Sequence, residues 1–486
     1  MRVLIAARGE VAVRIARTVR SLGWEPVTIH TPGDRGSPHT RAGLISLEVE
    51  SYTSIESIVE AAERAEADIV HPGYGFLSES PEFAEAVLDA GIAWAGPSPK
   101  AMRLLGDKWE AKRLAEKLGV PTVPWCEARS PEEAGRCAEK LGTPVMLKAS
   151  RAGGGRGMRT AASPEEAARL YRLVAEEARR GFGDAGVVFV EKLVNSPRHV
   201  EVQVLGGGGR VIHLYERECS VQRRRQKIIE EAPSPLAERL PGLRERLLDY
   251  ALRLAAAVDY ESAGTIEFIV DSRGNAYFIE ANTRLQVEHG VTELVTGVDI
   301  VEQQLLVAAG RGLGLGQEDV KLHGWAVEAR VYAEDPWSGF RASSGTVTMW
   351  RPPQGMWLRV DHAVEPGMRV DPSYDTLVAK IIAYGRDRSE AVARLSAALR
   401  ETVIGGVETN LELLRVIVET SWFRRGEYST STLEENLSTL LEEAAGRRRL
   451  AAEIAGRLGG AAVNAVHVAQ PELVEWHGWP WPPTRW

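Results

Sequence analysis

Residues 280–289, EANTRLQVEH, carry seven polar or charged side chains directly after AYFI at 276–279, an apolar run typical of a buried strand. A second β-rich run, TIEFIV at 265–270, precedes it, and the turn signal DSRGN joins the two runs into a predicted hairpin. With the turn centred on its Arg-Gly pair, Glu267 faces Glu280 across the two strands at about 5 Å. The spacing thus predicts two carboxylates side by side where the chain leaves the sheet.

Such a pair repels itself unless a cation lies between the two carboxylates. Mg²⁺ usually binds one or two carboxylates together with substrate phosphates, so it suits this pair. The alternative is a register slipped by one residue, which turns one of the two glutamates into solvent and removes the site. Spacing alone leaves both interpretations open.

Two further stretches have the composition of an anion-binding site. SRAGGGRGM at 150–158 is glycine-rich, so its backbone N–H groups can approach a phosphate that Lys148 can also reach. It is not the G-x-x-x-x-G-K-[ST] pattern, and a flexible hairpin is the alternative. CSVQRRRQKIIEE at 219–231 has four basic residues between 223 and 227, which suit an anionic ligand or form a solvated charged face.

The elements that must position these stretches begin with a strand–helix alternation, which indicates a parallel sheet covered by helices. HPGYGFLSE at 71–79 lies where the third strand is predicted to end, the edge at which such sheets bind ligands, although a plain connecting loop fits equally well. The predicted strands are RVLIAA (2–7), PVTIH (26–30), DIV (68–70) and IAWAG (92–96), and the helices include 11–23 and 54–65.

The predicted pattern of secondary structure changes in the later part of the chain. A compact αβ segment is predicted over about 120–194, and strands dominate from 199 to 280. Residues 326–437 form another mixed αβ unit. A helix is predicted over 438–458, with Leu450, Ile454 and Leu458 on one stripe.

Composition limits the class of protein. The 486 residues are enough for about two to four domains. The charge of −8 argues against nucleic-acid binding, and no run of about 18 apolar residues predicts a membrane span. The N-terminus lacks a signal-peptide layout, so a cytoplasmic protein is expected. Cys126 and Cys137 have no zinc-like spacing and are expected to be structural residues in a reducing cytosol.

Together the motifs resemble those of biotin carboxylases, which are ATP-grasp enzymes, over residues 2–437. The motif NTR-x-QVEH after an FIE strand is typical of the biotin-dependent carboxylases and not of ATP-grasp enzymes in general. The matching segments are ARGEVAVRI (7–15), HPGYGFLSE (71–79), GDK (106–108), KAS…GGGRGM (148–158), EKLVNSPRHVEVQVL (191–205), ECSVQRRRQKIIEEAPSP (218–235), EFIV…FIEANTRLQVEH (267–289), TGVDIVEQQL (296–305) and AVEARVYAEDP (326–336).

The resemblance implies an α/β fold of three domains. These are a Rossmann-like N-terminal domain (1–108), an ATP-grasp domain (109–320) with a mobile lid at about 120–194, and a mixed α/β C-terminal domain (321–437). Residues 438–486, a helix and a Trp-rich tail, lie beyond the resemblance. The tail is expected either to cap its own core or to dock onto a partner or a second copy.

The resemblance also implies roles for individual residues. ATP would be bound by Lys108, Lys148, Gly153, Gly154, Gly155, Glu191, Lys192, Val194, His199, Gln222 and Arg225, with Leu193 as apolar flank. Mg²⁺ or Mn²⁺ would be bound by Glu267, Glu280 and Asn282. Bicarbonate would be bound by Lys227, Arg284, Gln286 and the Val287 backbone. The catalytic residues would be Glu288 as the base for bicarbonate, Arg330 as the cation beside the biotin enolate, Lys227 and Arg284.

In the implied reaction bicarbonate attacks the γ-phosphate of ATP, and the resulting carboxyphosphate releases CO₂ beside biotin. Two rival functions are an ATP-grasp ligase acting on another acid and a nucleotide-sensing protein without chemistry. The QVEH segment argues against the first rival, and Glu288, Lys227 and Arg330 argue against the second.

Partners are implied in the same way. The chain contains no M-K-M biotinylation site, so biotin must be presented by a biotin carboxyl carrier protein or another domain. A carboxyltransferase subunit and a homodimer are expected, with this chain performing the first half-reaction of an acyl-CoA or pyruvate carboxylase.

Three residues depart from the family pattern. Arg225 stands where His is common in QRR-x-QK, and arginine does not titrate near neutral pH. Ala152 replaces a usual glycine of the lid loop, which costs about 1 kcal/mol if that position needs a positive φ. Ala7 stands where Asn is usual.

Overall fold

The computed structural model describes residues 1–150, 157–182, 187–371 and 373–457. The first hundred residues form a five-stranded parallel sheet in the order β3-β2-β1-β4-β5, as the strand–helix alternation predicted. The strand β3 was missed because it is only four residues long and lies partly exposed at the edge of the sheet. The elements are β1 (Arg2–Ile5), α1 (Gly9–Ser21), β2 (Glu25–His30), β3 (Ile45–Glu48), α2 (Ile55–Arg64), β4 (Ile69–His71), α3 (Pro81–Asp89), β5 (Ala93–Trp94) and α4 (Pro99–Gly106).

The compact segment expected over about 120–194 is present as a four-stranded antiparallel sheet, ordered β6-β9-β7-β8, with two helices packed on it. It has a small core of its own, in which Leu147, Val174 and Val190 are fully buried. Its mobility as a lid stays a prediction. The elements are α5 (Lys108–Lys117), β6 (Trp125–Ala128), α6 (Pro131–Leu141), β7 (Val145–Ala149), β8 (Met158–Ala161), α7 (Pro164–Phe182) and β9 (Val188–Lys192).

An eight-stranded antiparallel sheet forms the rest of the framework, in the order β14-β13-β10-β11-β12-β15-β22-β20. The remaining elements are β10 (Arg198–Gly207), β11 (Arg210–Arg223), β12 (Gln226–Ala232), α8 (Pro235–Arg239), α9 (Leu243–Ala256), β13 (Ser262–Val270), β14 (Ala276–Asn282), α10 (His289–Thr296), α11 (Ile300–Ala308), β15 (Trp325–Tyr332), β16 (Glu334–Asp335), β17 (Arg341–Ala342), β18 (Gly345–Thr346), β19 (Met349–Arg351), β20 (Leu358–His362), β21 (Arg369–Val370), β22 (Leu377–Gly385), α12 (Arg388–Glu401), β23 (Val403–Gly405), α13 (Leu411–Glu419), α14 (Ser421–Arg425) and α15 (Thr432–Arg457).

This sheet runs through the expected boundary between the ATP-grasp and C-terminal domains. Strand β12 pairs with β15 over four residues, with Glu230 opposite Glu328 and Ile229 opposite Ala329. The two parts therefore share backbone hydrogen bonds and are joined more tightly than a linker would join them. The domain boundaries inferred from the sequence stay predictions.

The facing of Glu267 and Glu280 is confirmed, but the turn alone does not produce it. Near the turn the strands pair one residue out of the predicted register, with Phe268 opposite Phe278. Ile279 is then the extra residue of a β-bulge, after which Glu267 lies opposite Glu280. A bulge of this kind leaves no clear mark in the sequence.

Two cysteines are linked. Cys126 in β6 and Cys137 in α6 form a disulfide, with their Cα atoms 5.9 Å apart. The expectation of unlinked structural thiols is therefore corrected: α6 packs directly on β6 and brings them together. Cys219 is free and buried.

The helix predicted over 438–458 is present as the later part of α15, although the proposed stripe is wrong. Leu450 is 43% exposed, and the helix instead buries Leu440 and Ala444 against the C-terminal core. Leu458 and the Trp-rich tail lie outside the described residues. Among the described residues, no helix combines the length and apolar composition needed to cross a membrane.

We expect reduction of the Cys126–Cys137 disulfide to destabilise the lid segment by about 3 kcal/mol, since the bond closes a short loop in the unfolded chain. Hydrogen exchange across β6, α6 and β9 with and without dithiothreitol measures this. A C126S/C137S variant is the control and should not respond to the reductant. Finding three free thiols in unfolded, unreduced protein would contradict the linkage.

Candidate active site

A row of charged side chains crosses four neighbouring strands at one register. Glu280 on β14 lies opposite Glu267 on β13, which lies opposite Glu201 on β10, which lies opposite Arg217 on β11. Glu267, Glu201 and Arg217 are buried, whereas Glu280, at the other end of the row, is half-buried. Three carboxylates in line must be compensated, because isolated buried charges are strongly destabilising.

Cations from several elements compensate this row. Lys227 on β12 places its Nζ 2.6 Å from Glu201 Oε2 and 3.2 Å from Glu267 Oε1. His199 Nε2 lies 2.7 Å from the other oxygen of Glu267, and Lys108 pairs with Glu280. Each carboxylate of the row is thus held by a neighbouring cation.

The row separates its carboxylates by charge state. Burial would raise the pKa of Glu267, but Lys227 and His199 outweigh it and hold the pKa well below the usual range. Burial and the negative charge of Glu288 raise the pKa of Glu201 to about 7 despite Lys227 and Arg217. Glu267 is therefore firmly anionic at neutral pH, as a metal ligand must be.

The predicted metal residues lie together. Asn282 donates from Nδ2 to Glu267 Oε1 at 2.5 Å, and Glu280 completes a set of oxygen donors at the end of the hairpin. Oxygen donors of this kind suit Mg²⁺. Ligand atoms of His199, Glu201 and Glu267 also lie within 4.8 Å of one another, so Glu201 borders the same place.

Glu288 is a further buried carboxylate that is held by two cations near this row. It precedes α10, is 1% exposed, and its two oxygens face different cations. Lys227 Nζ donates to Oε1 at 2.5 Å and Arg330 Nη2 donates to Oε2 at 2.8 Å. Burial would raise its pKa, but these two cations outweigh that effect and hold the pKa far below the usual value. Glu288 is therefore ionised, and the two cations lower its affinity for a proton as long as both contact it.

The loop before Glu288 offers free donors. Gln286 is buried, and its Nε2 has no hydrogen-bond partner within the described part of the chain. Arg284 donates to Asn282 Oδ1 at 3.3 Å and lies 3.1 Å from Glu79 of the 71–79 loop. An unpaired buried donor beside a planar guanidinium fits a small planar anion such as bicarbonate.

The lid brings the predicted nucleotide residues toward this row. Lys148 Nζ lies 2.6 Å from Glu191 Oε2, and Lys112 binds the other oxygen of Glu191. Burial opposes these lysines, yet they lower the pKa of Glu191 to about 2. Arg225 projects from the β11–β12 turn at a φ of 70° and reaches Met146 of β7 at 3.6 Å. The β11–β12 turn therefore contacts the lid.

The other predicted nucleotide residues have simpler settings. Gln222 is buried and pairs with Lys227 between strands, whereas Lys192 is exposed and Val194 half-buried where the lid joins the central sheet. Leu193 lies between them. Ala152 and Gly153, Gly154 and Gly155 lie outside the described residues.

Several charged residues of the site were missed from the sequence. The alternation in HVEVQV (199–204) puts His199, Glu201 and Gln203 on one face of β10, and this signal could have identified Glu201. Lys112 looked like one more charge on a polar helix. The buried residues Glu230 and Glu328 lie within matching segments but were given no role, and Arg217 and Lys380 lie outside those segments.

Comparisons with known proteins agree along the whole fold. Residues 1–102 match the biotin carboxylase N-terminal domain, 107–315 the ATP-binding domain of the carbamoyl-phosphate synthase L chain, and 328–435 the biotin carboxylase C-terminal domain. A biotin carboxylase of Nostoc sp. is 44% identical over 443 residues, which cover 89% of this chain and 98% of that protein.

The chain belongs to the biotin carboxylase family. Human mitochondrial pyruvate carboxylase is 43% identical over 90% of this chain, which spans 38% of that longer protein. The biotin carboxylase domain dimer of Hydrogenobacter thermophilus 2-oxoglutarate carboxylase, solved with MgADP, ADP and bicarbonate, has a TM-score of 0.87 and 42% identity, covering 90% and 98% of the two chains. Biotin carboxylase of Campylobacter jejuni has the same TM-score at 40% identity, covering 89% and 98%.

Membership confirms the fold class and the enzyme class that the motifs predicted. The protein is an ATP-grasp ligase that carboxylates biotin. The roles of individual residues stay predictions.

We expect E267Q and E280Q to raise the Mg²⁺ concentration needed for half-maximal ADP release by at least about tenfold, since changing even an outer partner of a metal ligand costs about 10- to 100-fold in metal affinity. D271N is the matched control, because Asp271 lies in the turn of the same hairpin and accepts from the Arg273 N–H. An unchanged Mg²⁺ requirement in both glutamate variants would rule out the assignment.

Proposed function

We propose that this chain carboxylates biotin on a separate biotin carboxyl carrier protein, using ATP, Mg²⁺ and bicarbonate, in the first half-reaction of an acyl-CoA or pyruvate carboxylase. The observation that carries the proposal is Glu288, an ionised carboxylate held between Lys227 and Arg330. Two residues earlier in the same loop, the buried Nε2 of Gln286 has no hydrogen-bond partner among the residues that the structure describes. This arrangement supports the proposal of a base, its orienting cations and an anion pocket in the same loop.

The bicarbonate step follows from this arrangement. Bicarbonate would lie against Arg284, Gln286 and the Val287 N–H, with its proton toward Glu288. Transfer of the proton to Glu288 leaves a dianion, and Lys227 offsets the developing charge. Because Glu288 is held by two cations before the substrate arrives, it needs little rearrangement to act.

The ATP step uses the adjacent row of carboxylates. Mg²⁺ held by Glu267, Glu280 and Asn282 would neutralise phosphate charge as bicarbonate oxygen attacks the γ-phosphorus and ADP leaves. Lys108 and Lys148 now pair with Glu280 and Glu191, and on ATP binding they would turn to the phosphates.

The biotin step requires a fixed cation. Carboxyphosphate would break into CO₂ and phosphate, and the released phosphate would take the N–H proton of the biotin ureido group, whose enolate then attacks CO₂. Arg330 is buried and contacts Glu230, Glu288 and Glu328, so its position is set from three sides. A guanidinium held in this way can stabilise the enolate oxygen without reorganising.

The relatives support the assignment to a separate subunit. This chain spans nearly all of the Nostoc biotin carboxylase but well under half of human pyruvate carboxylase, whose remaining length this chain does not match. A carrier protein and a carboxyltransferase would supply the missing functions. A homodimer is proposed because the Hydrogenobacter domain was solved as a dimer.

The assay that tests this function measures ADP release from ATP and Mg²⁺ with bicarbonate and free biotin added separately and together. Release that needs both supports the proposal. Release driven by a different carboxylic acid, without biotin, would replace it with a ligase of another acid.

We expect E288Q to lower biotin-dependent ADP release by about 10²- to 10⁴-fold, the usual cost of losing a general base, while nucleotide affinity stays close to that of the wild type. E318Q, at an exposed glutamate, is the control. Turnover in E288Q like that of the wild type would remove Glu288 from the role of base.

We expect ATP with Mg²⁺ to slow hydrogen exchange across residues 148–158 and the strands of the lid, because closure shields carboxyphosphate from water. Exchange in β1 and β4 of the N-terminal sheet serves as the internal reference. Protection that does not change in the lid would contradict closure.

A further inference from the structure

A buried lysine outside the predicted site contacts the bicarbonate loop. Lys380 on β22 is fully buried, and its ammonium donates to the main-chain oxygen of Val287 at 2.8 Å. On the sheet, Lys380 lies directly opposite Arg330 on one side and Asp361 on the other. The lysine therefore reaches from the sheet that carries Arg330 to the residue just before Glu288.

Two carboxylates balance the charge of this buried ammonium, but both lie beyond hydrogen-bond distance. Glu10 Oε2 on α1 lies 3.7 Å from the Lys380 Nζ, and Asp361 Oδ2 on β20 lies 3.6 Å from it. Neither oxygen of Glu10 has a hydrogen-bond partner in the described ranges. The charge of Lys380 is thus balanced at a distance, whereas its short contact goes to a peptide carbonyl.

That carbonyl belongs to a loop whose neighbouring carbonyls have their own partners: Gln286 O accepts from the His289 N–H and Glu288 O from the Val291 N–H, both at 3.3 Å. Residues 283–288 run between β14 and α10 without strand pairing. Glu79 accepts from the Thr283 N–H at 3.3 Å at the start of the loop, and Lys380 donates to Val287 O at its end. The peptide group of Val287 O also contains the N–H of Glu288, so fixing one fixes the backbone of the other.

We propose that Lys380 is a positioning residue for bicarbonate activation, which holds the Val287–Glu288 peptide so that the Val287 N–H and the Glu288 carboxylate meet bicarbonate together. The role rests on the proposed binding of bicarbonate at Arg284, Gln286 and Val287. Lys380 acts through the main chain, and the groups it contacts, Val287, Glu10 and Asp361, include no predicted nucleotide residue, so we expect its loss to affect bicarbonate and not ATP.

The test separates this role from simple charge balance. K380M removes the donor and leaves Glu10 without its nearby cation, whereas Asp361 keeps its ion pair with Arg359. K380M/E10Q therefore restores the balance of charge. E10Q alone keeps the ammonium and its hydrogen bond to Val287. K380R keeps the charge and moves the donor. KM for bicarbonate, KM for ATP and kcat are measured for each variant by ADP release with biotin.

We expect K380M/E10Q to raise KM for bicarbonate by about tenfold or more and to lower kcat, up to the roughly 10²-fold that a 1 Å misplacement costs. KM for ATP should stay within about twofold, as it does when an interaction with one substrate is removed. E10Q should resemble the wild type, and K380R should fall between the wild type and the double variant.

A matched control identifies effects of stability alone. Arg415 is a buried cation that donates to the carbonyls of Leu399 and Thr402, away from the row of charges. R415M should lower the melting temperature without changing the ratio of the two KM values.

Three results would overturn the proposal. The first is a bicarbonate KM in K380M/E10Q like that of the wild type, and the second is an equal rise in both KM values. The third is failure of K380M/E10Q and K380R to fold, which would assign Lys380 to core stability. If the wild type itself shows no bicarbonate-dependent ADP release, the proposed function fails instead, and the two failures are thereby distinguished.

Discussion

Buried carboxylates on one face of a β-sheet determine most of what surrounds them in this protein. Removing a carboxylate from water costs several kcal/mol, and the attraction to a cation offsets this cost only when the two groups are in close contact. Three neighbouring strands carry Glu280, Glu267 and Glu201 side by side. The cations that pair with them must therefore come from other strands and from a helix. Lys108 comes from α5, Lys227 from β12 and Arg217 from β11.

The same constraint explains how the site can exist without its substrates. Lys108, Lys148, Lys227 and Arg330 all have carboxylate partners within the chain. If these cations bind the substrates as proposed, a substrate anion must compete with an internal carboxylate for each of them. Binding becomes an exchange of partners, and its free energy is the difference between two sets of ion pairs.

Much of the fold and site could be predicted because motifs record local chemistry. The facing carboxylates, the loop before Glu288 and the parallel N-terminal sheet all depend on residue types at short spacing. Long-range geometry was harder to predict. The bulge at Ile279 depends on how β13 and β14 twist, and the Cys126–Cys137 bond depends on the packing of α6 on β6. Lys380 was missed because the sequence shows only a single lysine in an apolar strand, and its contact with the Val287 carbonyl is visible only in the folded structure.

The unbroken sheet from β14 to β20 has a consequence for how proteins of this family can be recombined. A chimera that exchanges the C-terminal part after residue 320 must reproduce the pairing of β12 with β15, including the opposed Glu230 and Glu328. An error of one residue would turn Arg330 away from Glu288. The lid carries its own core and sheet, so it is the part that can be transplanted as a module, whereas the other two parts are inherited together.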